Sequence, residues 1–187
     1  MNPFRRHNDP HALVVGMTGA KLGDRLAQIG CVDGARMAAI AAKVGVSGRA
    51  QTIVSDQTAA ERARKGAALA GVPVQIDVAP LTKMPAADAA FDLVVVDDTA
   101  GLFASVPPQR RLSVVGEIFR ILCPGGRVVV IGPQARGGMI GAIFSRLESP
   151  TFHVARSLTR EGFGSVRTLA ERDELTFVAA IKPIPER

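Results

Sequence analysis

The chain has 187 residues, 47% of them apolar and 21% charged, so it is long enough for one folded domain and short for two. No apolar run approaches the roughly 18–20 residues of a membrane-spanning helix, and the first ten residues lack the apolar stretch of a secretory signal. We therefore expect one cytoplasmic domain over 1–187 without a membrane span, with Cys31 and Cys123 reduced.

The formal net charge of +6 raises the question of nucleic-acid binding. The cationic residues are spread along the chain apart from short groups such as Arg110-Arg111, and there is no Trp or Tyr on which bases would stack. This distribution favours a dispersed basic surface over a nucleic-acid interface, and an RNA-associated protein stays the weaker alternative. Composition leaves open whether the chain forms a homo-oligomer.

The first half of the chain alternates short apolar runs with helical stretches. Residues 1–21 form a polar segment that ends in a short helix at 11–18, for which Asp9 and Pro10 supply a start signal. Strands are then predicted at 25–29, 50–54 and 74–78, with helices at 35–44 and 57–70 between them. Ser55 or Asp56 is positioned to cap the second of these helices.

The second half continues this alternation and then changes. A loop at 79–90 leads to an apolar strand at 91–96, a helix at 109–122 and a strand at 127–131. Helical stretches at 139–147 and 154–161 precede strands at 165–169 and 175–181, which are too close for a helical crossover and should pair antiparallel. The pattern predicts an α/β fold with a mostly parallel seven-stranded sheet, helices on both faces and a C-terminal antiparallel pair.

Two glycine turns adjoin predicted strands, one after the strand at 25–29 and one before the strand at 127–131. The first, from Ile29 to Gly34, runs directly into a helix and leaves backbone N–H groups that suit a ligand carrying carboxylate, ribose or phosphate. The second, Cys123-Pro124-Gly125-Gly126, precedes the strand at 127–131. The first turn predicts a small-molecule site, and the second predicts how the sheet is completed beside it.

The order of elements carries a family resemblance. Together with the run from Glu117 to Gly126 (Glu-Ile-Phe-Arg-Ile-Leu-Cys-Pro-Gly-Gly) and Gly162-Phe163 before the last two strands, it resembles the class I S-adenosylmethionine-dependent methyltransferases over roughly 22–183. The similarity is nearest to the small-molecule branch typified by the ubiquinone and menaquinone C-methyltransferases. It implies a Rossmann-like fold, a nucleoside-binding half over 22–133, a substrate-side half over 134–187, S-adenosylmethionine as cofactor and a small-molecule methyl acceptor.

The resemblance also assigns cofactor-binding positions, and it places them on Gln28, Gly30, Gly34, Asp56 and Asp97. Four positions depart from the family's pattern. The family has an acid where this chain has Gln28, Val54 and Pro80, and a glycine where it has Val32. A hydrogen bond to a charged group contributes about 1.5–3 kcal/mol. Loss of the ribose carboxylate at Val54 therefore weakens binding by roughly ten-fold or more, unless Asp56 replaces it.

Asp97 and Asp98, at the end of the strand at 91–96, are the candidate catalytic residues. By resemblance the transferred methyl group lies near them, where a carboxylate can accept a proton from a hydroxyl or amine nucleophile. In the alternative, Asp98 or Thr99 caps the next turn and Asp97 is solvated. No metal site is predicted, since two adjacent acids are a small ligand set.

Later residues add weaker candidates. His153 is either a general base or a surface histidine. The loop Arg136-Gly137-Gly138 is either a contact for an anionic substrate or a solvated loop. Four apolar side chains form either a lid over a lipid-like substrate or a helix core, namely Ile143, Phe144, Leu147 and Phe152.

Two functions of different classes follow. The first is an enzyme that transfers a methyl group from S-adenosylmethionine to a small molecule. The second is a methyltransferase-like domain that has lost cofactor binding and serves as a binding or interaction module. The second predicts a pocket that side chains near Val32 narrow or fill.

Overall fold

The computed structural model describes residues 10–134 and 153–185. Several sequence predictions lie outside these residues: the cap at Asp9, the helix at 139–147, the loop Arg136-Gly137-Gly138 and the four apolar lid residues.

Strands and helices alternate through the described ranges. The strands are β1 Arg25–Ile29, β2 Arg49–Val54, β3 Gln75–Val78, β4 Phe91–Asp97, β5 Leu122–Pro133, β6 Gly164–Arg172 and β7 Leu175–Ile181. The α-helices are α1 Ala12–Thr18, α2 Gly34–Ala41, α3 Gln57–Ala70, α4 Leu102–Ser105, α5 Arg111–Ile121 and α6 Val154–Arg160. Short 3-10 helices at Ala42–Val44 and Pro108–Arg110 extend α2 and precede α5. No helix in the described ranges is both long enough and apolar enough to cross a bilayer.

The seven strands form one sheet in the order β3-β2-β1-β4-β5-β7-β6. β1 to β5 run parallel, and β7 lies antiparallel between β5 and β6, which confirms the predicted sheet. β1 pairs with both β2 and β4, so the strand order reverses on either side of it. In open α/β sheets, ligands bind beyond the carboxyl ends of the strands at such a switch point.

Both faces of the sheet are covered, which explains the continuous apolar character of β4. Val94 and Val96 belong to the core under α5 and α6, whereas Leu93 and Val95 belong to the core under α1 and α2. A strand buried on both faces has no solvent-facing positions, so its sequence does not alternate.

The loop at 79–90 is fixed to α5 by the most specific part of the methyltransferase-like run. Glu117 accepts a hydrogen bond from the Met84 N–H (2.7 Å), and the Arg120 guanidinium donates to the Met84 and Ala86 carbonyls (3.1 and 2.7 Å). Arg120 also contacts Glu117 and Asp88, and this guanidinium holds the pKa of the Glu117 carboxyl below its usual range. The motif thus organises the fold on the face opposite α2.

The second glycine turn lies inside a strand. β5 already begins at Leu122, and its pairing with β4 shifts register between Phe91 and Leu93. Gly125 has a φ of +79°, and backbone hydrogen bonds of 2.8 Å join Gly125 and Gly126 to Lys182. The expected strand at 127–131 is therefore longer, because the glycines bulge without losing their partners. This bulge is at the amino end of β5, away from the carboxyl ends at which a ligand would bind.

Candidate cofactor cleft

The first glycine turn lies at the carboxyl end of β1, and the space beside it up to the end of β4 is here named the cofactor cleft. Gly30 has a φ of +80°, a conformation that favours glycine. Asp33 caps α2 by accepting hydrogen bonds from the Ala35 and Arg36 N–H groups (2.8 and 3.1 Å). Two of the amides that the sequence offers to a ligand are thus already bound by the chain itself.

An ion pair between Arg36 and Asp97 closes the cofactor cleft. Nη2 of Arg36 lies 2.9 Å from Oδ1 and 2.8 Å from Oδ2 of Asp97, and 2.9 Å from Oγ1 of Thr99. The same carboxylate accepts hydrogen bonds from the Val32 N–H (3.0 Å) and the Thr99 hydroxyl (2.6 Å). The side chains of Arg36 and Asp97 are only 13% and 12% exposed, so protein donors satisfy the carboxylate in a mostly buried position.

Leu102, at the start of α4, fills the space directly over Gly30. A Cβ added to Gly30 would lie 2.7 Å from Cδ1 of Leu102 and 3.0 Å from the Asp97 carbonyl oxygen. A small cavity formed by described residues beside Gly30 holds about 10 Å³, which is room for about one water molecule. It is lined by Gln28, Gly30, Arg36, Met37, Ile40, Val95, Asp97 and Ile131.

Asp98 points away from this pair and caps the following helical turn. Its Oδ1 accepts a hydrogen bond from the Phe103 N–H (2.9 Å). Burial raises the pKa of the Asp98 carboxyl above its ordinary value, and the nearby Asp97 charge adds to the effect. Asp98 therefore makes the contact that the capping alternative expects, and Asp97 is ion-paired rather than solvated. A catalytic role for either residue stays a prediction.

The other predicted cofactor-binding residues each have a structural partner. Gln28 is buried, and its Nε2 donates to the Met37 carbonyl (2.9 Å), which fastens α2 to β1. Gly34 faces α3, since a Cβ there would lie 2.3 Å from the Arg62 carbonyl oxygen. Asp56 caps α3 by accepting from the Ala59 N–H (2.9 Å).

Three positions at which the chain departs from the family's pattern, Val32, Val54 and Pro80, carry apolar side chains. Val54 is fully buried in the apolar cluster beneath α3, and Pro80 is exposed. Val32 is 39% exposed. Among the described residues, Arg36 and Leu102 contribute side chains to the cleft, whereas Val32 contributes its backbone N–H, which donates to Asp97.

Cys31 lies next to Val32, and His153 is the weaker candidate that lies on the other face of the sheet. Cys31 is a buried free thiol, and burial raises its pKa to about 11, which makes it a poor nucleophile at neutral pH. His153 is exposed immediately before α6, the helix that packs against α5 on the face opposite α2.

Sequence reasoning missed Arg36 and Leu102. One signal was present for Arg36, a cation in the first turn of a helix, where the helix dipole disfavours positive charge. Such a residue needs an acidic partner, and Asp97 is an acid at the end of the neighbouring strand.

Among the described residues, several contacts that the resemblance implies for S-adenosylmethionine are replaced or already taken by the chain itself. Pockets for ligands of that size are typically about 300–1,000 Å³, and the cavity that the described residues form beneath Gly30 and Asp97 is about 10 Å³. The guanidinium of Arg36 also neutralises Asp97, and apolar side chains stand at Val54 and Pro80.

Comparison with known proteins identifies the family. The chain is 34% identical over 133 residues to the 24-methylenesterol C-methyltransferase 2 of Oryza sativa subsp. japonica, over 68% of this chain and 35% of that protein. It thus spans about a third of the curated relative's length.

Solved structures share the fold. A SAM-dependent methyltransferase from Aquifex aeolicus superimposes with a TM-score of 0.72 at 16% identity, covering 92% of this chain and 89% of the other. The [4+2]-cyclase SpnF superimposes with a TM-score of 0.67 at 16% identity, covering 94% and 80%. The sequence model of the methyltransferase domain matches residues 27–130, more than half of the chain. The family and the fold imply S-adenosylmethionine binding in general, and this chain belongs to the class I S-adenosylmethionine-dependent methyltransferase family.

Proposed function

We propose that this chain is a methyltransferase-fold binding module that no longer takes up S-adenosylmethionine. The observation that carries the proposal is the Arg36–Asp97 ion pair, which occupies the cofactor cleft and satisfies the carboxylate at the end of β4. A fold does not fix an activity, and one structural neighbour of this chain is named a cyclase.

Two free-energy costs oppose binding of S-adenosylmethionine in the cleft. Separating a mostly buried ion pair costs about 2–4 kcal/mol, somewhat less than for a fully buried pair. That cost lowers the apparent affinity of any ligand by roughly 30- to 1,000-fold, because only the opened fraction can bind. Loss of an acidic contact at Val54 adds about 1.5–3 kcal/mol. Together these terms move a micromolar ligand to millimolar affinity or weaker.

The test is the thermal midpoint of unfolding of the full chain with S-adenosylhomocysteine at about 1 mM. A ligand at a hundred times its Kd adds about 2.7 kcal/mol, which raises the midpoint by roughly 5–10 °C in a chain of this size. We expect no measurable rise for the wild type. A rise of several degrees would contradict the proposal.

Two variants test the cause of the exclusion. Arg36→Ala removes the guanidinium from the cleft, and a midpoint rise in this variant alone would identify Arg36 as the group that excludes the nucleoside. Arg110→Ala is the control for the loss of one positive charge, because Arg110 is exposed and precedes α5 on the opposite face of the sheet.

Methyl transfer to a small molecule is the second candidate. Two observations favour it: the relative is a C-methyltransferase whose name specifies a sterol, and Asp98 is a part-buried acid at the end of β4 with a raised pKa. In this case the cleft would open by separation of Arg36 from Asp97. Heat released on mixing the protein with S-adenosylmethionine would support this candidate, and the small-molecule acceptor would then be sought among lipid-like compounds.

A further inference from the structure

We propose that the outer surface of α2 and α3 docks an acidic, amphipathic segment of a partner protein. The surface, named here the α2–α3 groove, consists of two adjoining depressions of about 450 and 630 Å³ that share Ala42 and Val72. The first lies between α2 and α3. The second continues past their carboxyl ends to the starts of β2 and β3.

The packing of the two helices creates this groove. At one end their backbones meet, since a Cβ added to Gly66 would lie 2.1 Å from the Gly34 carbonyl oxygen. Beyond that contact the facing side chains are small, with Ala38 and Ala39 on α2 and Ala70 on α3. Alanine does not reach across to the other helix, so an open apolar channel remains.

Large apolar side chains are exposed along the groove. Leu69 and Val46 line it and are 80% and 101% exposed. Leu22, 79% exposed, extends this surface because its Cδ2 would lie 2.7 Å from a Cβ on Gly45. Exposed large apolar side chains grouped along one groove are typical of an interaction site.

The charge of the groove specifies the partner's charge. Arg49, Arg62 and Lys65 line it, and the described lining residues include no Asp or Glu. Arg62 donates to the Cys31 carbonyl and Arg49 to the Gln75 side-chain oxygen, both of which are neutral acceptors. Neither of these contacts neutralises the positive charge of the arginine, so carboxylates on a partner are the complementary groups.

The shape favours a peptide over a small molecule. The groove is open to solvent and follows α3 from Arg62 to Ala70, which is about 12 Å at 1.5 Å per residue. Pockets for small ligands enclose most of the ligand surface, whereas helix-in-groove recognition leaves one side of the helix in water. The inference rests on the proposed function, since it names the partner class of a binding module, but it uses a surface outside the cofactor cleft.

The experiment selects peptides from a random 16-residue display library on the full chain and measures their affinity by fluorescence anisotropy. We expect the selected peptides to carry Asp and Glu, with apolar residues three and four positions apart. Leu69→Ser and Lys65→Glu should each weaken their binding at least ten-fold.

Matched controls separate the groove from general stickiness and charge. Ile184→Ser changes another exposed apolar residue, and Arg64→Glu makes the same charge reversal on α3 outside the groove lining. Both should change affinity less than two-fold. Equal losses in the controls, selected peptides without acidic residues, or no selected peptide would each overturn the inference. A dimer of the full chain that Leu69→Ser dissociates would also overturn it, by making a second copy the occupant.

The outcome is separable from that of the proposed function. A midpoint rise with S-adenosylhomocysteine alongside intact peptide binding would remove the proposed function and leave the groove. If no acidic peptide binds the groove and S-adenosylhomocysteine does not raise the midpoint, the proposed function stands and the groove inference is removed.

Discussion

A guanidinium held against a carboxylate is stabilising only while both partners are present. Asp97→Ala leaves Arg36 mostly buried with the Thr99 hydroxyl as its hydrogen-bond acceptor, so we expect the free energy of unfolding to fall by about 2–3 kcal/mol. The measurement is urea unfolding followed by circular dichroism at 222 nm.

The matched control is Asp88→Ala, which removes another acid that pairs with an arginine. The side chain of Asp88 is 80% exposed, and an exposed pair contributes about 0–1 kcal/mol. A loss for Asp97→Ala no larger than that for Asp88→Ala would contradict the structural importance of the pair in the cleft.

Gly30 and Asp97 were expected at a binding site, which stays a prediction, whereas their neighbours Arg36 and Leu102 were not expected. Gly30 and Asp97 could be placed together because glycine turns and strand ends have recognisable patterns, and both border the cleft. The direction of the Arg36 side chain depends on a partner 61 positions away, which no local pattern specifies. The same holds for Leu102, on the four-residue helix α4.

Helix α3 can approach α2 only because both carry a glycine at the crossing. Gly66→Ala would place a methyl group 2.1 Å from the Gly34 carbonyl oxygen, so the helices must separate. We expect a loss of about 2–4 kcal/mol in the free energy of unfolding, measured by urea titration.

Gly16→Ala is the control at a helical glycine with free space. Apart from α1 itself, no heavy atom in the described ranges lies within 4 Å of its added Cβ, so we expect helix propensity to dominate and stability to rise by up to about 1 kcal/mol. If both variants shifted stability in the same direction, the crossing would not depend on Gly66.

Elements defined by local signals were predicted closely. The helix at 57–70 has the expected bounds because Asp56 caps it and Gly71 ends it with a φ of +65°. The strand expected at 127–131 was too short, because Gly125 and Gly126 are held by Lys182, a residue more than 50 positions later. Long-range pairing of this kind is not encoded in the glycines themselves.

One sheet joins the two larger apolar clusters, one on each of its faces, and this determines how the whole molecule should unfold. Since β4 contributes to both cores, neither can be lost alone, and we expect one calorimetric transition whose van't Hoff and calorimetric enthalpies agree. Calorimetry suits this chain because it has no Trp or Tyr for fluorescence.

The same cooperativity predicts the behaviour of a double variant. Gly66→Ala perturbs the α3 face and Arg120→Ala the opposite face, so their stability losses should add within about 0.5 kcal/mol. Two separate transitions, or a loss confined to one part of the chain, would show that the 1–187 segment is not a single domain.

Because Arg36 and Asp97 belong to one chain, the guanidinium competes with any incoming cation as a tethered group, at an effective concentration of about millimolar or higher. A free ligand must outcompete this internal one before it gains any contact of its own. At position 36, selection for a stable protein and selection for ligand uptake therefore act in opposite directions.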